Sequence, residues 1–157
     1  MKFLAILSVL LLLFIFPQRV STDLDYLRIH YFEICDTGGA TPASYIITIP
    51  SWLTTEHRAA VVFSQIFHNI CPKKMVFAPQ NVTILDIFFH HEYAHLVLNV
   101  SADVLNYGGT SFEHYFVEKL LLNAAALRQV GTFTLLIEGQ PRHLPEGILL
   151  HQVQLMR

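Results

Sequence analysis

The chain has 157 residues, 53% apolar and 14% charged, with a formal net charge of −2. That length fits one domain, and that apolar content excludes a disordered chain. With 10 basic against 12 acidic residues and no basic stripe, the composition argues against nucleic acid and anionic membrane surfaces as partners.

In chain order, the first element is a leader. All but two of the first 16 residues are apolar. Lys2 gives a short positive start, and residues 3–16 are interrupted only by Ser8, the pattern of a signal-peptide core. The run is shorter than the roughly 20 residues of a spanning helix. Residues 1–21 are therefore expected to direct export, either as a cleaved signal peptide or as a short uncleaved N-terminal anchor. The cleavage signal is poor, because a cut near Ser21 puts Arg19 or Val20 where a small residue belongs. Removal of this leader takes away Lys2 and Arg19, so the formal charge becomes −4, and nine histidines make it sensitive to acidification. Residues 22–157 are expected to form a single domain, since they contain no repeat, linker or low-complexity stretch.

Leu27, Ile29 and Tyr31 alternate with Arg28 and His30, the period of a half-buried strand. Asp36-Thr37-Gly38-Gly39 and Pro42 are expected to break the chain before the β-branched run 45–49, which makes a hairpin with a long loop. Cys35 and Cys71 either pair in an oxidising compartment or remain independent thiols; their spacing makes no metal motif. Thr54 or Thr55 can cap a helix whose apolar positions are Ala59, Val62, Phe63, Ile66, Phe67 and Ile70, with Pro72 stopping it. Residues 83–89 and 95–101 read as strands. Leu85, Ile87 and Phe89 share one face of the first, and Leu96, Leu98 and Val100 one face of the second, with a link short enough for antiparallel pairing. Gly108-Gly109 marks a break, and Thr110 and Glu113 have the spacing of a capping box. A second helix follows, carrying Phe116, Val117, Leu120, Leu121, Ala124 and Leu127 on its apolar side. Residues 132–137 form a further strand with Phe133, Leu135 and Ile137 on one face, then a turn over 138–141. Ile148-Leu149-Leu150 can add an edge strand. The predicted fold is α+β, a two-layer sandwich in the order ββαββαβ, with two helices packed on one face of a mixed sheet of about five strands. Its open edges make self-association a possible partnership.

The link between the two central strands carries His91-Glu92-Tyr93-Ala94-His95, a literal H-E-x-x-H. In a zinc hydrolase this motif lies on a helix, where the two histidines share one face and hold the metal while the glutamate activates its water. Here it is bracketed by two β-rich runs, and in a continuous strand the histidines would stand about 13 Å apart. The extended motif also lacks its parts, since Leu98 and Ser101 stand where a glycine and a third histidine belong. Glu113 and Glu118 are at distances from which a helix could supply a third ligand, but nothing around them supports that role. A solvated turn is the expected reading, with metal capture by His90, His91 and His95 as an intermediate case. No nucleophile elbow or phosphate loop occurs, and no catalytic, cofactor-binding or metal-ligating residue is assigned.

Three segments taken together resemble the GerM domain, a sporulation and germination family: residues 96–101, then Tyr107-Gly108-Gly109-Thr110-Ser111-Phe112-Glu113, then residues 130–139 ending in Leu136-Ile137-Glu138-Gly139. Residues 27–32 are similar to the family's opening strand, so the resemblance spans roughly residues 27–155. Asn99 stands where the family commonly has an acidic residue. The resemblance implies a non-catalytic exported domain of the cell envelope, in the periplasm or outside the cytoplasmic membrane, that binds envelope proteins or peptidoglycan and needs no cofactor. It implies structural roles for Ser101, Gly108, Gly109, Glu113, Glu138 and Gly139. The membrane would be met only through an uncleaved leader. The competing reading is a zinc-dependent metallohydrolase using His91, Glu92 and His95.

Overall fold

The computed structural model describes residues 23–34, 40–68 and 79–156. The leader, Cys35 and Cys71, the 36–39 turn, Ile70 and Pro72 lie outside the described residues. The α+β class and the ββαββαβ order hold, and one further short strand closes the chain.

Strands β1 (Leu24–Ile34) and β2 (Ala40–Pro50) form an antiparallel ribbon, with Leu27 opposite Ile47 and Phe32 opposite Pro42. The ribbon is longer than expected. Pro42, read as a breaker, lies inside β2, which is tolerable because this strand has a partner on only one side. The remaining strands make a separate mixed sheet in the order β3-β4-β5-β6. β3 (Ile84–His90) and β4 (His95–Val100) are the expected hairpin, β5 (Thr132–Ile137) runs parallel to β4, and β6 (Val153–Gln154) closes the edge antiparallel to β5. The strands thus divide between two sheets. The edge strand lies at β6 rather than at Ile148-Leu149-Leu150, although the Leu150 carbonyl accepts from the Leu135 N–H at 2.8 Å.

A second difference lies in β3. Ile84 pairs with Val100 and Asp86 with Asn99, so Leu85 is the extra residue of a bulge. The bulge turns Leu85 out to solvent and leaves Ile84, Ile87 and Phe89 facing the core.

Helix α1 (Thr55–Phe67) begins at Thr54, whose hydroxyl accepts from the His57 N–H at 3.4 Å. Its stripe Ala59, Val62, Phe63, Ile66 and Phe67 is buried, and Phe63 stacks on Phe133 of β5 at 5.8 Å. Burying each large side chain of this kind contributes about 1.5–3 kcal/mol. Helix α2 (Thr110–Ala126) is capped by Gly109, at φ +103°, and not by Thr110. The capping box does not form, because the Glu113 side chain points inward and is fully buried. α2 meets α1 through Phe116 and Phe67, and meets β1 through Tyr115 and Phe32.

The contact of α2 with β1 is also polar. The Asn123 amide receives the His30 N–H at 3.0 Å and donates back to the His30 carbonyl at 2.9 Å and to Lys119 O at 2.8 Å. It therefore supplies β1 with the pairing that a third strand would give on that side. No helix among the described residues is long and apolar enough to cross a membrane.

Candidate functional site

His91-Glu92-Tyr93 form a single 3-10 turn closed by Ala94 in the left-handed region, at φ 49°, so the H-E-x-x-H segment is a hairpin turn. Its side chains diverge. His91 packs edge-on against Phe89, a core-face residue, at 4.7 Å. His95 lies on the opposite face of β4, where its Nε2 meets the Thr134 hydroxyl at 2.8 Å. Glu92 is exposed. Among the described residues no three His, Cys, Asp or Glu side chains gather as a metal would require. The helix-face geometry of a zinc hydrolase is therefore missing. His90 and His95 do stand opposite each other in register, with rings 6.1 Å apart. Burial first, then His90 and His151, pushes the His95 pKa below its usual value.

What this turn contributes is backbone. The Ala94 carbonyl accepts from the N–H groups of Gly131 and Thr132, at 2.8 and 3.1 Å, and so fixes the start of β5.

The opposite end of the β4–β5 pair carries the residues of the GerM-like pattern. The Ser101 hydroxyl accepts from the Thr83 N–H at 3.1 Å and donates to Asp103 at 3.1 Å. Glu138, at φ 52°, accepts from the Ala102 N–H at 2.9 Å, and the N–H of Gly139, at φ 75°, donates to Asn99 at 2.8 Å. Asn99, the departure from the family's acidic preference, thus serves as a turn acceptor. Glu113 accepts three hydrogen bonds: from the Tyr107 hydroxyl at 3.0 Å and from the N–H groups of Glu146 and Ile148 at 2.7 and 3.0 Å. Glu146 in turn accepts from the Gly109 N–H at 2.8 Å. Burial, and then the hydrogen bond to Glu113, holds the Tyr107 phenol protonated. This cluster ties the start of α2 to residues 144–148, and every described member has a structural task. Gly108 is the exception, since nothing in the structure requires a glycine there.

A cleft of about 580 Å³ opens where the N-terminus of α1, the start of β1 and the end of α2 meet. Arg58 spans it, donating to Asp25 at 2.5 Å, Leu53 O at 2.9 Å and Ser51 O at 2.7 Å. Hydrogen bonds from Arg58 and then from the Tyr26 N–H lower the Asp25 pKa. Burial would raise the Glu56 pKa, but its own N–H, the Thr54 hydroxyl, His91 and His57 bring the net shift down. The wall holds two carboxyl groups, Asp25 and Glu56, and two guanidinium groups, Arg58 and Arg128, a balanced set that favours neither an anion nor a cation. Sequence reading missed this cleft, because its charged residues are scattered over more than 100 positions.

These elements define a class: an α+β domain built from a β-ribbon, a mixed four-stranded sheet and two helices, held by buried hydrogen bonds at the helix–strand junctions. No family model matches the chain, and no curated protein matches its sequence. Solved structures do match in fold. The first GerMN domain of the sporulation protein GerM from Bacillus subtilis aligns over 87% of this chain and 98% of its own, with a TM-score of 0.57 and 15% identity. The tandem GerMN domains of the same protein align over 85% of this chain with a TM-score of 0.59 and 12% identity, the chain spanning 46% of their length. A protein described as a lipoprotein from Clostridium perfringens gives a TM-score of 0.52 at 10% identity, over 77% of this chain and 79% of its own. The chain is a GerM-like domain in its fold.

Proposed function

We propose that this is an exported, non-catalytic domain of the cell envelope that acts by binding protein partners or peptidoglycan. The observation that carries the reading is the fold shared with a sporulation protein's GerMN domains and a clostridial lipoprotein, over most of the chain. The divergence of His91 and His95 to opposite faces of the sheet supports it, since it removes the one arrangement that suggested catalysis. The leader, residues 1–21, would deliver the domain to the outer side of the cytoplasmic membrane. β3, at an edge of the four-stranded sheet among the described residues, offers an open side to a partner's strand or to a second copy.

Metal analysis of purified, untagged protein separates this reading from the zinc hydrolase. The scaffold reading expects no tightly held zinc. One zinc per chain, lost on His91→Ala or His95→Ala together with a hydrolytic activity, overturns it. A pulldown from envelope extract identifies the partner, and light scattering that finds only monomer over a wide concentration range removes self-association. N-terminal sequencing of protein from the native envelope tests the leader, with a chain still starting at Met1 favouring the anchor.

A further inference from the structure

An antiparallel ribbon packed on one side ordinarily turns a polar face to water. The β1–β2 ribbon mixes polar residues, Arg28, Ser44 and Thr48, with large apolar ones on that face. Its inward alternation, Leu27, Ile29 and Ile49, is buried in the core, yet its outward alternation includes Leu24 and Tyr26 on β1 and Ile46 on β2, exposed by 59%, 66% and 59%. The register sets Leu24 opposite Pro50 and Tyr26 opposite Thr48, with Ile46 one step further along and diagonal to Tyr26. Such diagonal neighbours lie within reach of an aromatic side chain. Trp52, 68% exposed, sits in the tight turn closed by the Leu53 N–H and the Pro50 carbonyl, at the same end of the ribbon. Leu24, Tyr26 and Ile46 make an apolar, aromatic patch between Arg28 and Thr48, with the exposed Trp52 at the same end of the ribbon, on a protein whose core is already filled, and such a patch marks an interaction surface.

We propose that this ribbon face, with Trp52 at its tip, docks on the interfacial layer of a neutral lipid bilayer. Two observations select the bilayer as occupant. Leu24 follows the apolar run 3–16 by only eight residues, a reach of about 29 Å at full extension, so an uncleaved leader would bring this end of the domain to the membrane. The side chains are also those of the membrane–water boundary, with Trp and Tyr rings at headgroup depth and Leu and Ile below them. Arg28 lies on the same outward alternation, beside Ile46, where it can extend toward headgroups. Arg58 and Asp25 neutralise each other at the ribbon's end and present no net charge to the lipid. Without a cationic cluster the attraction is apolar, so it needs no anionic lipid and agrees with the acidic balance of the chain. This goes beyond the envelope-partner reading and rests on the leader staying attached as an anchor, whichever partner is bound.

Trp52 is the chain's one tryptophan, and the leader has none, so its emission reports this face alone. The full chain reconstituted in phosphatidylcholine vesicles is expected to show a blue-shifted Trp52 emission, quenching by lipids brominated on the acyl chains and several-fold weaker quenching by acrylamide. Tyr26→Ser with Ile46→Ser, folded by circular dichroism, is expected to lose the lipid quenching while keeping Trp52. An emission that stays that of a water-exposed indole overturns the proposal. So does a blue shift that needs no lipid and grows with protein concentration, which would assign the face to a second copy, and so does unchanged quenching in the folded double variant. Loss of the lipid signal would leave partner capture from envelope extract intact, so failure here is distinguishable from failure of the scaffold reading.

Discussion

β4 starts in a turn whose His91 and Glu92 side chains stand in solvent, and it ends beside a cluster in which Glu113, 13 residues further on, is fully buried and takes three hydrogen bonds. In the sequence the first end is the conspicuous one, because H-E-x-x-H names a reaction. In the structure the weight lies at the other end. A motif states what residues could do if the backbone placed them on one helix face, whereas a buried carboxyl group must be satisfied wherever it is. The backbone placed the first in a hairpin turn and the second at the junction of α2 with residues 144–148.

Removing each side chain in turn sharpens this contrast. The largest effect is expected at Glu113. Glu113→Ala leaves the Tyr107 hydroxyl and the Glu146 and Ile148 N–H groups, all part-buried, without their acceptor, and with about 1–1.5 kcal/mol for each bond, a loss of about 3–4.5 kcal/mol is expected in urea unfolding. A loss below about 1 kcal/mol would show that water replaces the carboxyl group, and would break the contrast between the two ends.

Asn123→Leu comes next, at about 2–3 kcal/mol by the same unfolding measurement, since it deprives His30 of both backbone partners while keeping the volume apolar. This residue extends the comparison to the ribbon. β1 has β2 on one side and, at His30, a side-chain amide on the other, so that outer pairing should loosen first. Hydrogen exchange at the His30 N–H is expected to rise in the variant while the β4–β5 ladder stays protected.

The histidines give a smaller, pH-dependent effect. His95 and His30 both have pKa values below their usual 6.5, chiefly through burial. The unfolded chain therefore binds protons first as the pH falls, and stability is lost from about pH 6.5 downward, over the interval to the lowered folded values. Thermal unfolding should show Tm falling through this window, with a shallower slope for His95→Gln. An unchanged slope in that variant would remove His95 from the account.

The parts legible in the sequence were those in which a local period and a tertiary task coincide. Leu96, Leu98 and Val100 alternate and are buried, and Val62, Phe63 and Ile66 follow the helical period and are buried. The misread parts depend on partners distant in sequence. Thr110 and Glu113 satisfy the spacing of a capping box, but Glu113 finds its partners at Tyr107, Glu146 and Ile148 and turns inward. Leu85 belongs to the right alternation until a bulge adds one residue and reverses its face. Asn123 looks like a polar interruption of an apolar helix, and only the approach of β1 gives it a role. For the candidate site, the turn itself was legible from the β-rich runs around it. The apolar patch on the outward face of the ribbon was not, because it is shared between two strands and Leu24, Tyr26 and Ile46 come together only once the register with β2 is known.

The smallest expected effect belongs to the conspicuous motif. In His91→Ala with Glu92→Ala, both side chains are exposed and neither accepts or donates a described hydrogen bond; the double variant gives up the edge-on packing of His91 against Phe89 and the weak attraction of His91 for Glu56. Surface changes of this kind stay within about 0.5 kcal/mol. The turn should persist, because it is held by the Ala94 carbonyl, which the substitutions leave in place. Treatment with a chelator should likewise leave the Tm of the wild-type protein unchanged, since no described trio of ligands gathers at the turn. If the double variant loses as much stability as Glu113→Ala, or if a chelator lowers the wild-type Tm, then the turn holds something its hairpin geometry does not account for, and the two ends of β4 are more alike than their side chains indicate.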